Sequence, residues 1–121
     1  MIEQLKDLPA TVVGFRASGH VTKEEYDTIL IPAVKKLADN TTGKINYLFE
    51  LDTDLSNMSA GAWYDDLKIG LQYLSHWRKI AIVSDQDLVN KFAVFTGHIT
   101  PGEVRSFKIG ELAAAKKWVA E

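Results

Sequence analysis

The sequence predicts an α/β fold in which helices flank a mostly parallel five-stranded sheet with one antiparallel strand. Residues 60–75 carry an amphipathic helix pattern, and the unbroken apolar run 80–83 follows shortly after it. Such a run is typical of a strand that is covered on both faces. Helix and strand patterns also alternate along the chain, which favours parallel strands joined by right-handed crossovers. We therefore expect the order β-β-α-β-α-β-α-β-α, with the apolar segments near positions 47 and 81 adjacent in the middle of the sheet.

Composition limits the classes of function. The chain has 121 residues, 46% of them apolar, which is enough for a single domain over 1–121 with its own core. A net charge of −2 offers no basic surface for nucleic acid, and the absence of cysteine excludes disulfides and thiolate metal sites. No apolar run reaches the roughly 18 residues of a membrane span. The N-terminus lacks the apolar core of a signal peptide, so a cytoplasmic location is expected.

The first third of the chain contains a predicted hairpin and a long helix. Residues 2–6 and 11–17 have strand patterns, and the link between them is too short for a crossover, so they should pair antiparallel. Thr22 and Glu25 have the spacing of a capping box and predict the start of the helix. Pro32 lies inside the helical pattern, where it removes a backbone donor, and predicts a kink.

The remaining elements follow from the same periodicities. The predicted strands and helices are 44–51, 60–75, 79–84, 86–96, 104–109 and 111–120. In helix 60–75 the residues at steps of three and four are expected to be buried, namely Trp63, Leu67, Gly70, Leu71 and Leu74. In helix 86–96 the same rule predicts burial of Leu88, Phe92 and Phe95. Ser84 and Asp87 have capping-box spacing for that helix, and a loop is expected over 97–102.

Three stretches carry a resemblance to a known family. They are GFRASGHVTKEEYDTILIPAV at 14–34, WYDDLKIGLQY at 63–73 and WRKIAIVSDQDLV at 77–89. With the element order, they resemble the SpoIIAA-like group of STAS domains, also described as STAS/SEC14-like. The resemblance implies a STAS-like fold and a non-enzymatic regulatory or protein-binding module. Its SEC14-like side implies the alternative, a carrier of an apolar small molecule or lipid.

The same resemblance draws attention to Ser59. In SpoIIAA-type antagonists a serine before the second helix, in the motif Asp-Ser-x-Gly, is phosphorylated by a partner kinase. Here Ser59-Ala60-Gly61 matches the last three positions, and Met58 stands where the family has aspartate. A phosphate at a helix N-terminus would be stabilised by free N–H groups and the helix dipole. Ser59 is therefore a candidate phosphosite, and the alternative is a serine that only caps the helix.

Polar side chains follow the predicted parallel strands, where ligands bind in open α/β sheets. The groups expected to gather at this edge are Arg16, Ser18 and His20, then Asp52, Asp54 and Ser56, then Ser84 and Asp85. The order of acidic residues does not fit a haloacid-dehalogenase phosphatase, and residues 5–7 lack the acidic pair of a receiver domain. His20, His76 and His98 are too scattered for a metal site. We expect no cofactor and no catalytic residues.

Helix 60–75 has a second apolar set beyond its predicted buried face, which indicates either deep burial or a contact surface. The binding candidates are Asp52, Asp54, Ser59, Trp63, Tyr64, Asp66 and Tyr73. One hypothesis is an unidentified protein partner that docks on helix 60–75 and loop 52–59. The second is an apolar ligand beside the same helix, and the weakest is a hydrolase that uses Asp52 and Asp54. The spare apolar surface is also compatible with a homodimer.

Overall fold

The computed structural model describes residues 1–121 and contains one five-stranded sheet with helices on both faces. Its strands are β1 (Ile2–Gln4), β2 (Val12–Ser18), β3 (Ile45–Asp52), β4 (Trp77–Val83) and β5 (Glu103–Phe107). Its helices are α1 (Lys23–Glu25), α2 (Ile31–Asn40), α3 (Ala60–Gln72), α4 (Asp87–Ile99) and α5 (Leu112–Ala120). β1 pairs antiparallel with β2, and all other pairs are parallel. The predicted fold class and the predicted hairpin are therefore confirmed.

The two apolar segments are neighbours in the middle of the sheet, as predicted. β3 pairs parallel with β4, with Tyr47 opposite Ile80 and Leu48 opposite Ala81. Along β3 every residue from 45 to 51 is buried. Both faces of this strand are covered, which is why its sequence is nearly continuous in apolar residues and does not alternate.

The strands lie in the sheet in the order in which they occur in the chain. Each parallel strand is therefore added on the same side of the one before it. Because the crossovers between parallel strands are right-handed, all the helices that connect them lie on one face of the sheet. That face holds the larger core cluster, which includes Phe15, Tyr47 and Trp77. Only α5 covers the opposite face, where Ala115 and Val119 pack against β3, β4 and β5.

The predicted capping box at the first helix is present. The backbone N–H of Glu25 donates to Thr22 Oγ1 at 3.2 Å, and the N–H of Thr22 donates to Glu25 Oε1 at 3.2 Å. A π-helical turn, Tyr26–Leu30, lies between α1 and α2, just before Pro32, and the kink at Pro32 stays a prediction. In this turn the N–H of Ile31 donates to the carbonyl of Tyr26 five residues earlier. The wider turn precedes the position at which Pro32 offers no N–H donor.

The predicted buried face of α3 is wrong. Trp63, Leu67 and Leu71 are 38%, 56% and 58% exposed. The buried residues of α3 are instead Ala62, Asp65 and Ile69. The helix also ends earlier than expected, at Gln72, and a 3₁₀ turn over 74–76 leads into β4. The apolar stripe exists, but it faces a groove and not the core.

The predicted face of α4 is displaced in the same way. Its buried residues are Val89 and Ala93, whereas Leu88, Phe92 and Phe95 are exposed. The helix continues to Ile99, through part of the loop expected over 97–102. The predicted capping box at Ser84 and Asp87 is absent, because Gln86 occupies the N-cap position without a side-chain hydrogen bond.

Candidate functional site

An apolar groove lies between α3 and α4, with β3 and β4 as its floor. It has a volume of about 370 Å³, and 20 of its 24 lining residues are hydrophobic. We call it the α3–α4 groove. The residues that define its two walls and its floor are Trp63, Leu67 and Leu71 of α3, Leu88 and Phe92 of α4, and Phe49 and Ile82 of the sheet. Apolar concavities of this size are where small molecules bind in folded proteins.

The local sequence explains why the groove stays open. The side chains of α4 that are buried, Val89 and Ala93, are small, and α3 buries Ala62 in the same way. The larger side chains of both helices, such as Leu67 and Phe92, line the space between the helices. Because each helix places its bulk toward this space, neither covers the floor completely. The misassigned residues therefore line the groove, with the exception of Phe95 of α4.

The lining of the groove includes a hydrogen-bonded tyrosine and carboxylate. Tyr26 Oη donates to Asp66 Oδ1 at 3.1 Å, and both residues line the groove with Tyr47. Tyr47 is only 7% exposed, and its hydroxyl has no hydrogen-bond partner in the protein. Burial raises the pKa of Asp66 to about 6, although the hydrogen bond from Tyr26 acts in the opposite direction. Burial also raises the pKa of both tyrosines, so both hydroxyls are protonated at neutral pH.

The adjacent acidic residue, Asp65, has a structural role outside the groove. Its two carboxylate oxygens lie 3.3 Å from Lys23 Nζ, which also contacts Asp27 at 2.9 Å. The hydrogen bond with Asp27, followed by burial, raises the pKa of Asp65. The Lys23 ammonium therefore holds two carboxylates together and ties α1 to α3. This cation is not among the residues that line the groove.

The carboxyl edge of the sheet brings together part of the predicted polar set. Arg16 of β2 forms an ion pair with Asp52 of β3, and its Nε lies 3.4 Å from Glu50 Oε1. The side chain of Thr53 donates to the carbonyl of Gly19 at 2.8 Å. These contacts join the ends of β2 and β3, and they leave Asp52 engaged in an ion pair.

The loops after β3 and β4 are also joined by hydrogen bonds. Gln86 donates to the carbonyl of Thr53 at 2.6 Å and accepts from the N–H of Leu55 at 2.9 Å. Asp85 accepts from the N–H of Ile109, and Ser84 accepts from the N–H of Gln86. The polar residues at this edge therefore satisfy backbone groups. No cluster of three histidine or carboxylate residues that could hold a metal is present.

Three further candidates lie outside the groove. Asp54 accepts hydrogen bonds from the N–H and hydroxyl of Ser56, which lowers the pKa of its carboxyl and caps a 3₁₀ turn. Tyr64 is exposed on α3 and does not line the groove. Tyr73 packs edge-on against Trp77 at a ring distance of 6.4 Å. Of the sequence candidates, only Trp63 and Asp66 lie in the groove.

Ser59 occupies the N-cap position of α3. Its exposed side chain accepts a hydrogen bond from the N–H of Ala62 at 3.1 Å, which satisfies one of the free donors at the helix start. The capping role is therefore present. Phosphorylation of Ser59 stays a prediction.

Comparison with known proteins agrees with this fold. The SpoIIAA-like family model matches residues 12–120. This chain belongs to the SpoIIAA-like family. It is similar to the crystal structure of an uncharacterised protein of the DUF3478 family with a SpoIIAA-like fold from Shewanella loihica PV-4, at 25% identity and a TM-score of 0.71. That match covers 98% of this chain and 92% of the other. No curated protein matches the sequence.

Sequence reasoning missed two residues of the α3–α4 groove, Tyr26 and Tyr47. Both are buried, and both line the groove. The available signal was a tyrosine inside the apolar run 45–51, since a buried phenol usually has a hydrogen-bond partner.

No helix in the fold combines the length and the apolar composition that a membrane span requires.

Proposed function

We propose that this SpoIIAA-like protein is a non-enzymatic binding protein that carries an apolar small molecule or lipid in the α3–α4 groove. The observation that carries the proposal is the groove itself, about 370 Å³ in volume with 20 hydrophobic residues among 24. Small-molecule sites in proteins are concave, mainly apolar and about 300–1,000 Å³ in size. The groove has these properties, and two of its few polar groups, Tyr26 and Asp66, are joined by a hydrogen bond.

The exposure of large side chains supports the same proposal. Leu67, Leu71 and Leu88 of the groove walls are each more than half exposed. Burial of a side chain of this size stabilises by about 1.5–3 kcal/mol. An apolar molecule seated between the helices would remove these surfaces from water. The ligand would then contribute apolar contacts that the protein does not make with itself.

Tryptophan fluorescence provides a direct test. Trp63 and Trp77 line the groove, whereas Trp118 packs on the opposite face of the sheet against Phe107. A dodecyl alcohol brominated along its chain should quench the first two indoles and leave the third unaffected. Replacing Trp63 and Trp77 by phenylalanine should therefore abolish the quenching. Quenching that persists in this double variant would contradict the proposal.

Two phenylalanines of α4 form a matched pair for the same assay. Phe92 is 45% exposed and lines the groove, and Phe95 is 61% exposed and does not line it. Phe92→Ser should weaken binding of the brominated alcohol by about tenfold or more, because an aromatic wall is lost. Phe95→Ser should bind as the unmodified protein does. Equal effects of the two substitutions would indicate nonspecific adsorption to the helix.

A second candidate function is docking of a protein partner, and one observation favours it. Tyr64 of α3 and Val94 and Phe95 of α4 are exposed but do not line the groove. Large exposed apolar side chains are candidates for a contact surface. Light scattering of the purified protein, with and without Phe95→Ser, tests self-association through this surface. A monomer in both cases would contradict the homodimer, and unchanged ligand binding would separate the two functions.

A further inference from the structure

The α3–α4 groove is lined by one acidic side chain and by no basic one. Asp66 is the only carboxylate among the 24 lining residues, and no lysine, arginine or histidine lines the groove. The other two non-hydrophobic side chains there are threonines, Thr96 and Thr100. The groove therefore offers a hydrogen-bond acceptor and hydroxyls, and it has no cation.

The Asp66 carboxylate can accept a hydrogen bond in addition to the one from Tyr26. Its Oδ1 accepts from Tyr26 Oη at 3.1 Å, and Tyr26 is fully buried. Tyr47, which is more than nine-tenths buried, has a hydroxyl without a partner in the protein. Buried polar groups in folded proteins are nearly always hydrogen-bonded, so an orphaned hydroxyl beside a ligand groove indicates a missing partner.

We propose that Asp66 and Tyr47 form the head-group subsite of the groove, and that the ligand is an apolar chain ending in a hydrogen-bond donor, an amine or a hydroxyl. This inference rests on the carrier function proposed above. The donor would bond to the Asp66 carboxylate and to the Tyr47 oxygen, while the chain would lie between the helices. A bond of this kind to a charged group is among the strong hydrogen bonds in proteins.

The same geometry disfavours an anionic head group. A fatty-acid carboxylate or a phosphate would lie beside Asp66 with no cation in the groove to offset the repulsion. Lys23, which contacts the neighbouring Asp65, is already engaged with Asp27 and Asp65. An anionic ligand would therefore lose affinity from like charge and from desolvation together.

An amine and a hydroxyl can be distinguished by pH. Tyr26 and Tyr47 face Asp66 from the π-helical turn and the sheet, and Asp65, with its Lys23 partner, is its neighbour on α3. The tyrosines stay neutral, so Asp66 is the group in the subsite whose charge changes near pH 6. A protonated amine should bind more weakly when Asp66 is neutral, whereas an alcohol should bind similarly on both sides of that pH.

Three ligands with the same dodecyl chain test the proposal by tryptophan fluorescence, below their micelle concentrations. At near-neutral pH, dodecylamine should bind about tenfold or more tightly than dodecanoate, and dodecanol should lie between them. Asp66→Asn should reduce this difference to less than about threefold. Tyr47→Phe should weaken amine binding and leave the fold intact, because the lost hydroxyl has no partner in the protein.

Matched controls exist for both substitutions. Asp54→Asn and Tyr73→Phe make the same chemical changes at residues outside the groove and should leave all three affinities unchanged. Equal affinities for the three ligands would overturn the subsite and leave the carrier function standing. Tighter binding of dodecanoate, or an unchanged preference in Asp66→Asn, would also overturn it. Failure of all three to bind would refute the carrier function itself.

Discussion

Replacing Asp66 by asparagine is expected to stabilise the folded protein near neutral pH and to have little effect in acid. Asp66 is half-buried among apolar side chains, and this environment raises the pKa of its carboxyl to about 6 from an ordinary value of 3.8. The charged carboxylate is therefore disfavoured in the folded state. Asparagine removes the charge and keeps an oxygen that can accept from Tyr26.

The raised pKa determines the size and sign of the effect. A pKa that rises from 3.8 to about 6 on folding corresponds to about 3 kcal/mol between the two protonation states. Because Asp66 keeps part of its surface in water, we expect about 1–3 kcal/mol. Below the unfolded pKa, near pH 3.8, the protonated side chain carries no penalty. Between pH 3.8 and about 6 the unfolded state loses this proton while the folded state keeps it, so stability falls as pH rises; the gain from asparagine grows over this interval and is complete above about 6.

Urea unfolding at about pH 4 and about pH 7.5 measures this difference. Asp66→Asn should raise the free energy of unfolding at the higher pH and change it little at the lower one. Asp54→Asn is a control that should change the free energy of unfolding in the opposite direction. Hydrogen bonds from Ser56 lower the pKa of the Asp54 carboxyl, so its charge favours the folded state. An equal effect of Asp66→Asn at both pH values, or destabilisation at neutral pH, would refute the reasoning.

Two further substitutions test the fold around the groove by the same unfolding assay. Gly102→Ala should destabilise by about 1–3 kcal/mol, because the added Cβ would lie 2.5 Å from the carbonyl oxygen of Trp77, and a backbone atom cannot move away easily. A stability equal to that of the unmodified protein would mean that the β4–β5 end is looser than described. Ser59→Ala should cost about 1 kcal/mol through loss of the cap on Ala62, whereas Ser59→Asp should retain the cap. If aspartate destabilised as much as alanine, the capping role would be excluded.

The sequence predicted the sheet well because strand signals are local and strong. The apolar runs at β3 and β4 are typical of buried strands, and a helix pattern separates them. Consecutive strands joined by a helical crossover usually lie side by side in a parallel sheet, as these two do. The Thr22–Glu25 capping box was equally predictable, since both of its hydrogen bonds join residues three apart. Errors at strand ends, such as β5 at Glu103–Phe107 in place of 104–109, are of one or two residues.

The groove was not predictable in the same way. The apolar periodicity of α3 reports that Trp63, Leu67 and Leu71 share a face, but not whether that face meets the core or a ligand space. The pair of Tyr26 and Asp66 joins positions 40 residues apart, and only the folded chain brings them together. The missing partner of Tyr47 is likewise a property of its surroundings, and no pattern in the sequence encodes it.

The groove follows from the fold and the sequence acting together. The order of the strands places the crossover helices on one face, where α3 and α4 must share the surface above β3 and β4. A sequence that needed only a closed core would place the large side chains of both helices against the strands. This sequence buries one large apolar side chain of α3, Ile69, and only Val89 and Ala93 of α4, and it leaves Leu67, Leu71 and Phe92 to line the groove. It also keeps a carboxylate where charge is disfavoured, so the arrangement gives up stability at the place where a ligand would restore it.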